Sequence, residues 1–251
     1  VKGFVIGLGW VTAAGIGQGR RGDRFAFGSG DLPVPVRREL FAAPYPRFGR
    51  LDDFSRLGLA GIALALADAG FDRWTDKRPV GLCAATTCGC LATDFSYFDT
   101  VVAEGGALAS PNLFAYTLAN TFVGEAAIRF GLTGPALVVN AAADDPFCGL
   151  RIGLEALLDG DCPLVVAGIC DLVPPPPLAL PGQGAGALFL VLAGAEAVTL
   201  PPYGELSWAT PAAVEMGGTP VRDWEALAAA CSAQLPPSGR RPAPPADRKT
   251  D

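Results

Sequence analysis

Two periods alternate along the chain. Short apolar runs, closed by glycine, proline or a polar residue, read as buried strands over residues 5–9, 79–84, 136–140, 164–168 and 187–192. Between them the spacing becomes helical. Leu57, Leu59, Ala60, Ile62, Ala63, Leu64 and Leu66 predict a helix over 54–69, opened by Asp52 or Asp53 and stopped by Gly70. Further helices are expected over 92–103, over 121–130 where Gly131 ends the run, and over 144–158. Residues 15–50, rich in glycine and arginine, read mostly as loop, and the prolines from Pro174 to Pro177 with the Pro181-Gly182 turn separate the last two of these strands. A sixth strand near 204–209 and a helix near 224–235 follow; beyond Pro236 the Pro/Arg/Ala/Asp composition cannot bury enough apolar surface, and disorder is expected over 236–251.

Strands that read as continuous apolar runs and alternate with helices predict an α/β fold: a mostly parallel, mixed five-stranded sheet with helices on both faces. The 144–158 helix is apolar nearly all round. Phe147, Leu150, Ile152, Leu154, Leu157 and Leu158 cover most of it, and Arg151, Glu155 and Asp159 make one polar stripe at i, i+4, i+8. Asp144 and Asp145 at its start are expected to satisfy free backbone N–H groups and the helix dipole rather than to act as a catalytic pair.

Composition removes much chemistry. The 251 residues contain no histidine, so a Ser-His-Asp triad, a Cys-His pair and histidine-ligated zinc are excluded. Half the residues are hydrophobic and the mean hydropathy is +0.34. No apolar run reaches the roughly 18 residues of a membrane span, so the excess points to a partner interface. The first strand leaves no room for a signal peptide and the seven cysteines are scattered; a reduced, cytoplasmic protein is expected. Charge is segregated: residues 1–78 carry 12 Lys/Arg against 8 Asp/Glu, whereas 79–221 carry 2 against 13. An acidic middle argues against nucleic acid, while an acidic partner could meet the basic first third.

Short motifs have plain explanations. Gly7-Leu8-Gly9 lacks the third glycine opening a helix that a dinucleotide site needs. Cys88-Gly89-Cys90 has neither redox nor metal spacing, and Cys148, with no histidine to activate it, is expected to be a packing residue. Neither a bound cofactor nor a metal is implied.

The ordered motifs resemble the N-terminal half of the β-ketoacyl-acyl-carrier-protein synthases, condensing enzymes of thiolase-type fold. They are Val5-Ile6-Gly7-Leu8-Gly9; Arg50 to Arg56 leading into the helix ending Asp68-Ala69-Gly70; Ser110-Pro111-Asn112-Leu113-Phe114; Phe130 to Pro135; Gly160-Asp161 leading to Val165-Val166-Ala167-Gly168; and Gly182 to Leu188. The resemblance implies half of a thiolase-type fold, with a synthase-like domain over 1–195, an extra strand and helix over 196–235 completing or capping it, and the tail. It places the family's nucleophilic cysteine at Ala143, and it places the family's two histidines in a C-terminal half with no counterpart here. A methyl group cannot carry an acyl chain. The expected function is that of a chain-length-factor-type subunit, without catalysis of its own, paired with an active ketosynthase in fatty-acid, polyketide or aryl-polyene-like synthesis. Alternatives are acyl transfer through Cys148, or a homodimeric scaffold for acyl carrier protein. Arg20, Arg21, Arg37, Arg38, Arg151 and Glu155 are the expected partner or carrier contacts.

Overall fold

The structure, a computed structural model, describes residues 2–73, 76–103, 105–142, 144–176, 178, 184–210 and 213–235. The expected tail over 236–251, the Pro181-Gly182 turn and Ala143 lie outside the described residues. In chain order the elements are β1 (Lys2–Thr12), β2 (Gly15–Gln18), α1 (Arg37–Leu40), α2 (Asp53–Asp68), β3 (Val80–Thr86), α3 (Leu91–Ala103), α4 (Pro111–Phe114), α5 (Thr121–Phe130), β4 (Ala136–Asn140), α6 (Cys148–Leu158), β5 (Leu164–Asp171), β6 (Gly186–Ala193), β7 (Gly204–Thr210), β8 (Ala213–Met216), β9 (Thr219–Val221) and α7 (Trp224–Gln234).

Among the described residues all strands join one nine-stranded sheet, in the order β4-β3-β5-β6-β1-β7-β8-β9, with β2 folded back on β1. The five strands expected from the apolar runs stand together at one side as β4-β3-β5-β6-β1. β3 pairs in parallel with both β4 and β5, and β6 runs antiparallel to β5 and β1, so four of the five point the same way. The α/β class is as expected. The count of five is corrected to nine, because the 15–18 segment doubles back on β1 and residues 204–221 extend the sheet with a meander. Residues 15–50 likewise hold β2, α1 and two 3-10 turns besides loop.

Each face of the sheet has its own core. On one face α2 and α5 bury Leu59, Ile62, Leu66, Phe122 and Phe189. Helix α2 opens as the sequence predicts, with the Asp52 carboxylate accepting from the Ser55 N–H at 3.0 Å. Its approach explains Gly7: a Cβ there would stand 2.6 Å from the Ala65 carbonyl oxygen and 2.7 Å from the Ala69 Cβ. The glycine admits a helix, as close backbone contact requires. On the other face Phe147, Leu150 and Leu154 of α6 pack with Tyr203, Leu206, Val214, Met216, Trp224 and Leu227 from the last quarter of the chain.

A buried polar node ties the layers together. Asp68, at the end of α2, accepts from the Leu8 N–H (2.9 Å), the Arg20 N–H (2.8 Å) and the Tyr203 hydroxyl (2.6 Å). Arg20 is 2% exposed; it donates through Nε to the Asp68 carbonyl and through one terminal nitrogen to the carbonyls of Ile6 and Pro201, and lies over the Tyr203 ring. Burial pushes the Asp68 carboxyl up, against the pull of its donors, and raises the Tyr203 phenol as well. The expectation that Arg20 meets a carrier is therefore corrected: its guanidinium is wholly inside the fold.

Candidate functional site

In α/β sheets, ligands and chemistry gather beyond the carboxyl ends of parallel strands. Here that rim is formed by Thr86 at the end of β3, Asn140 at the end of β4 and Asp171 at the end of β5. The Asp171 carboxylate accepts from the Thr86 hydroxyl (2.8 Å) and from the N–H groups of Thr87 (2.8 Å) and Cys88 (3.0 Å), while the Gly89 N–H donates to the Thr86 hydroxyl. Burial raises the carboxyl and these donors oppose the rise. Asp171 thus fastens the turn after β3 and is committed to structure. The Ala141 N–H is held by the Thr86 carbonyl at 2.8 Å, which sets the start of the turn from β4 to α6.

The α6 helix begins at Cys148, four residues later than expected, with Phe147 at its cap and no side-chain cap bond. Asp144 and Asp145 therefore do not cap it. Asp145 instead forms an ion pair with Arg151, and the Arg151 guanidinium lies 4.5 Å over the Trp208 ring. The other Asp145 carboxylate oxygen and the Arg151 Nε are buried without partners in the fold. This attraction, with Pro146 next in the chain, holds the two aspartates in the turn. Of the expected stripe, Arg151 is drawn inward, whereas Glu155 and Asp159 face solvent.

Ala143, where the nucleophile was expected, lies outside the described residues. Cys148 is near it in sequence but poorly suited to replace it. It is 7% exposed and its Sγ rests 4.0 Å from the Asn140 carbonyl oxygen. Burial first, and then the Asp145 charge, raise its pKa and keep it a thiol. Cys90 is also buried, with its thiol 3.6 Å from the Asp94 carboxylate and its pKa pushed up to about 11. Among the described residues no group of three or more His, Cys, Asp or Glu side chains could hold a metal ion, and no helix is long and apolar enough to cross a membrane.

The remaining expected contacts separate. Arg21 pairs with Asp23 at 2.7 Å, while Arg37 and Arg38 stand exposed on α1. Two features escaped the sequence reading. One is an apolar surface on α3, α4 and the turn after it, where Phe98, Val102, Phe114 and Leu118 are all largely exposed; the signal was present in Phe95, Phe98 and Val102 at i, i+3, i+7, an apolar stripe that no element among the described residues covers. A groove of about 480 Å³ lined by Leu91, Phe95, Tyr97 and Phe98 runs along it. The other is the position of β4: it is an outer strand of the sheet, and Leu137, Val138 and Val139 are only half-buried.

The sequence matches the β-ketoacyl synthase N-terminal domain over residues 35–188. No match was found among curated proteins. Among solved structures, the ishigamide ketosynthase/chain length factor superposes with a TM-score of 0.64 at 18% identity, over 82% of this chain and 66% of that one. A type II polyketide synthase acyl-carrier protein in complex with its ketosynthase bound to the hexaketide gives 0.66 at 15% identity, over 82% and 68%. A ketosynthase in complex with its chain length factor from Xenorhabdus doucetiae gives 0.52 at 16%, over 77% and 79%. At these identities the likeness is one of fold, and the chain spans just under two thirds of the length of the first of these relatives.

Proposed function

Because this chain belongs to the β-ketoacyl synthase N-terminal domain family, we propose that it is a ketosynthase-like subunit of the chain-length-factor type, performing no condensation itself and partnering an active β-ketoacyl-carrier-protein synthase in polyketide, aryl-polyene-like or fatty-acid synthesis. The observation that carries this reading is the open β4 edge, whose half-buried Leu137, Val138 and Val139 accompany the uncovered apolar face of α3 and α4. An unpaired strand edge presents free N–H and C=O groups, and an exposed apolar patch costs hydration free energy until it is covered.

Chemistry supports the same reading. Residue 143, which the resemblance places at the family's nucleophile position, is alanine, and the thiol five residues on is held protonated. The solved relatives include a ketosynthase with its chain length factor and a ketosynthase with its acyl-carrier protein. An acidic carrier would meet the exposed Arg37 and Arg38 of α1.

Coexpression with the active ketosynthase of the same pathway tests the proposal. The expected result is a complex of one copy of each chain by native mass, weakened by Val139→Lys on the strand edge and by Phe98→Glu on α3, with altered product length. Phe98 is 60% exposed, so its substitution leaves the fold intact. Failure of the two chains to associate at micromolar concentration, or an association indifferent to both substitutions, would overturn it.

A further inference from the structure

The geometry points to a binding site for a small phosphate monoester in the cleft between the 3-10 turn Pro46–Arg50 and α4, formed by Arg47, Arg50, Asn112 and Tyr116. In a 3-10 helix residues three apart eclipse one another, so Arg47 and Arg50 project from the same side of this turn. The turn is anchored from below: Phe48 is 3% exposed and its ring meets Phe41 at 5.2 Å. A cleft of about 400 Å³ is lined by Arg47, Arg50, Asn112 and Tyr116, with no acidic residue among them.

Charge selects the class of ligand. Glu125, buried beneath the turn, accepts from the Tyr45 hydroxyl at 2.6 Å and pairs with Arg47 at 2.6 Å. Arg129 belongs to the same cluster; its guanidinium lies over the rings of Phe41 and Tyr45, and its buried Nε has no partner in the fold. The Arg50 side chain makes no hydrogen bond or ion pair among the described residues. One carboxylate among three guanidinium groups leaves a local charge near +2, on a chain whose net charge is −6. A phosphate monoester carries a charge of about −1.5 to −2 at neutral pH with three acceptor oxygens. It matches that charge and the donors these residues carry, namely the Arg50 fork, the Arg47 nitrogens not engaged by Glu125, an amide and a phenol; a simple carboxylate matches neither as well. This inference does not rest on the proposed partnership.

Isothermal titration of the whole chain with glycerol 3-phosphate and with inorganic phosphate, against acetate at equal ionic strength, is the test. Saturable millimolar binding of both phosphates and none of acetate is expected. Arg50→Gln should weaken it about tenfold, by loss of a charged hydrogen-bonding partner, and Asn112→Asp at least as much, by like-charge repulsion. Both side chains are exposed, so both variants should keep the native circular dichroism spectrum. Arg222→Gln, exposed and outside the cleft, should bind as the parent does. The inference is overturned by absence of saturable phosphate binding, by Arg50→Gln binding unchanged, or by Arg222→Gln losing as much as Arg50→Gln, which would mean a diffuse surface field.

Discussion

Asp68→Asn should destabilise the whole chain by about 2–4 kcal/mol. The side chain keeps its shape but exchanges one acceptor oxygen for an NH2 group. If the remaining oxygen faces the Arg20 N–H, the amide nitrogen faces the Leu8 N–H, and two donors meet. A buried backbone donor left without an acceptor costs about 1–3 kcal/mol. Weaker hydrogen bonding by a neutral group in place of a carboxylate adds about 1 kcal/mol. The Tyr203 hydroxyl can turn to accept from the new amide, so that contact contributes little to the loss. Tyr203→Phe alone should cost about 1–2 kcal/mol, by removing one donor while both N–H groups stay satisfied. The sites share a hydrogen bond, so the double variant should fall short of the sum. Urea unfolding followed by tryptophan fluorescence measures all three. For a chain this long, Asp68→Asn should lower the melting temperature by roughly 4–16 °C. The node joins β1, α2 and Tyr203, from both sides of residue 195, so each variant should shift a single cooperative transition. An Asp68→Asn variant within about 0.5 kcal/mol of the parent, or a Tyr203→Phe variant that unfolds in two steps, would refute this account.

Two further outcomes concern the thiols. Burial pushes Cys83 and Cys231 from 9.0 up to about 12. Their protonated forms are thus favoured in the folded state; the contribution is complete below pH 9 and is lost between pH 9 and 12 as the unfolded chain ionises first. Stability of the parent should therefore fall with pH more steeply than that of Cys231→Ala, by about 1.4 kcal/mol per pH unit in this window; parallel slopes in urea titrations would exclude it. Cys148 should be slow to alkylate in the native protein at about pH 7.5, behind the half-exposed Cys88, and should take no acyl group from an acyl-carrier or acyl-CoA donor. Peptide mapping by mass spectrometry checks both, and a Cys148 acyl adduct would restore the acyltransferase reading.

Where a segment's pattern and its packing agree, the sequence predicts it closely. Helix α2 lies within one residue of the expected 54–69, with Asp52 at its cap, and β4 spans 136–140 as expected. The β8–β9 hairpin was missed because its strands are four and three residues long, though Gly217 and Gly218, both at positive φ, carried a two-residue turn signal. The candidate site was less legible. A buried arginine such as Arg20 depends on carbonyl groups at Ile6 and Pro201, which come together only in the tertiary fold. The pairing of Asp145 with Arg151, six residues on, outweighed the local preference of an aspartate for a helix start. The cleft at Arg47 and Arg50 joins segments more than sixty residues apart, and no local window contains it.

The two ends of the sheet are not equivalent. At one end β9 is three residues long, places Pro220 within the outer strand and leaves Thr219 and Pro220 in solvent. A proline there cannot donate to an incoming strand, so this end terminates growth. At the other end β4 offers five residues without such a block. Strand-to-strand association can therefore be propagated from one side only, and it stops once that side has met a single neighbour. Among the described residues, then, the sheet edges favour a closed pair over an open filament, because a molecule joined at β4 has no second unblocked edge from which to continue.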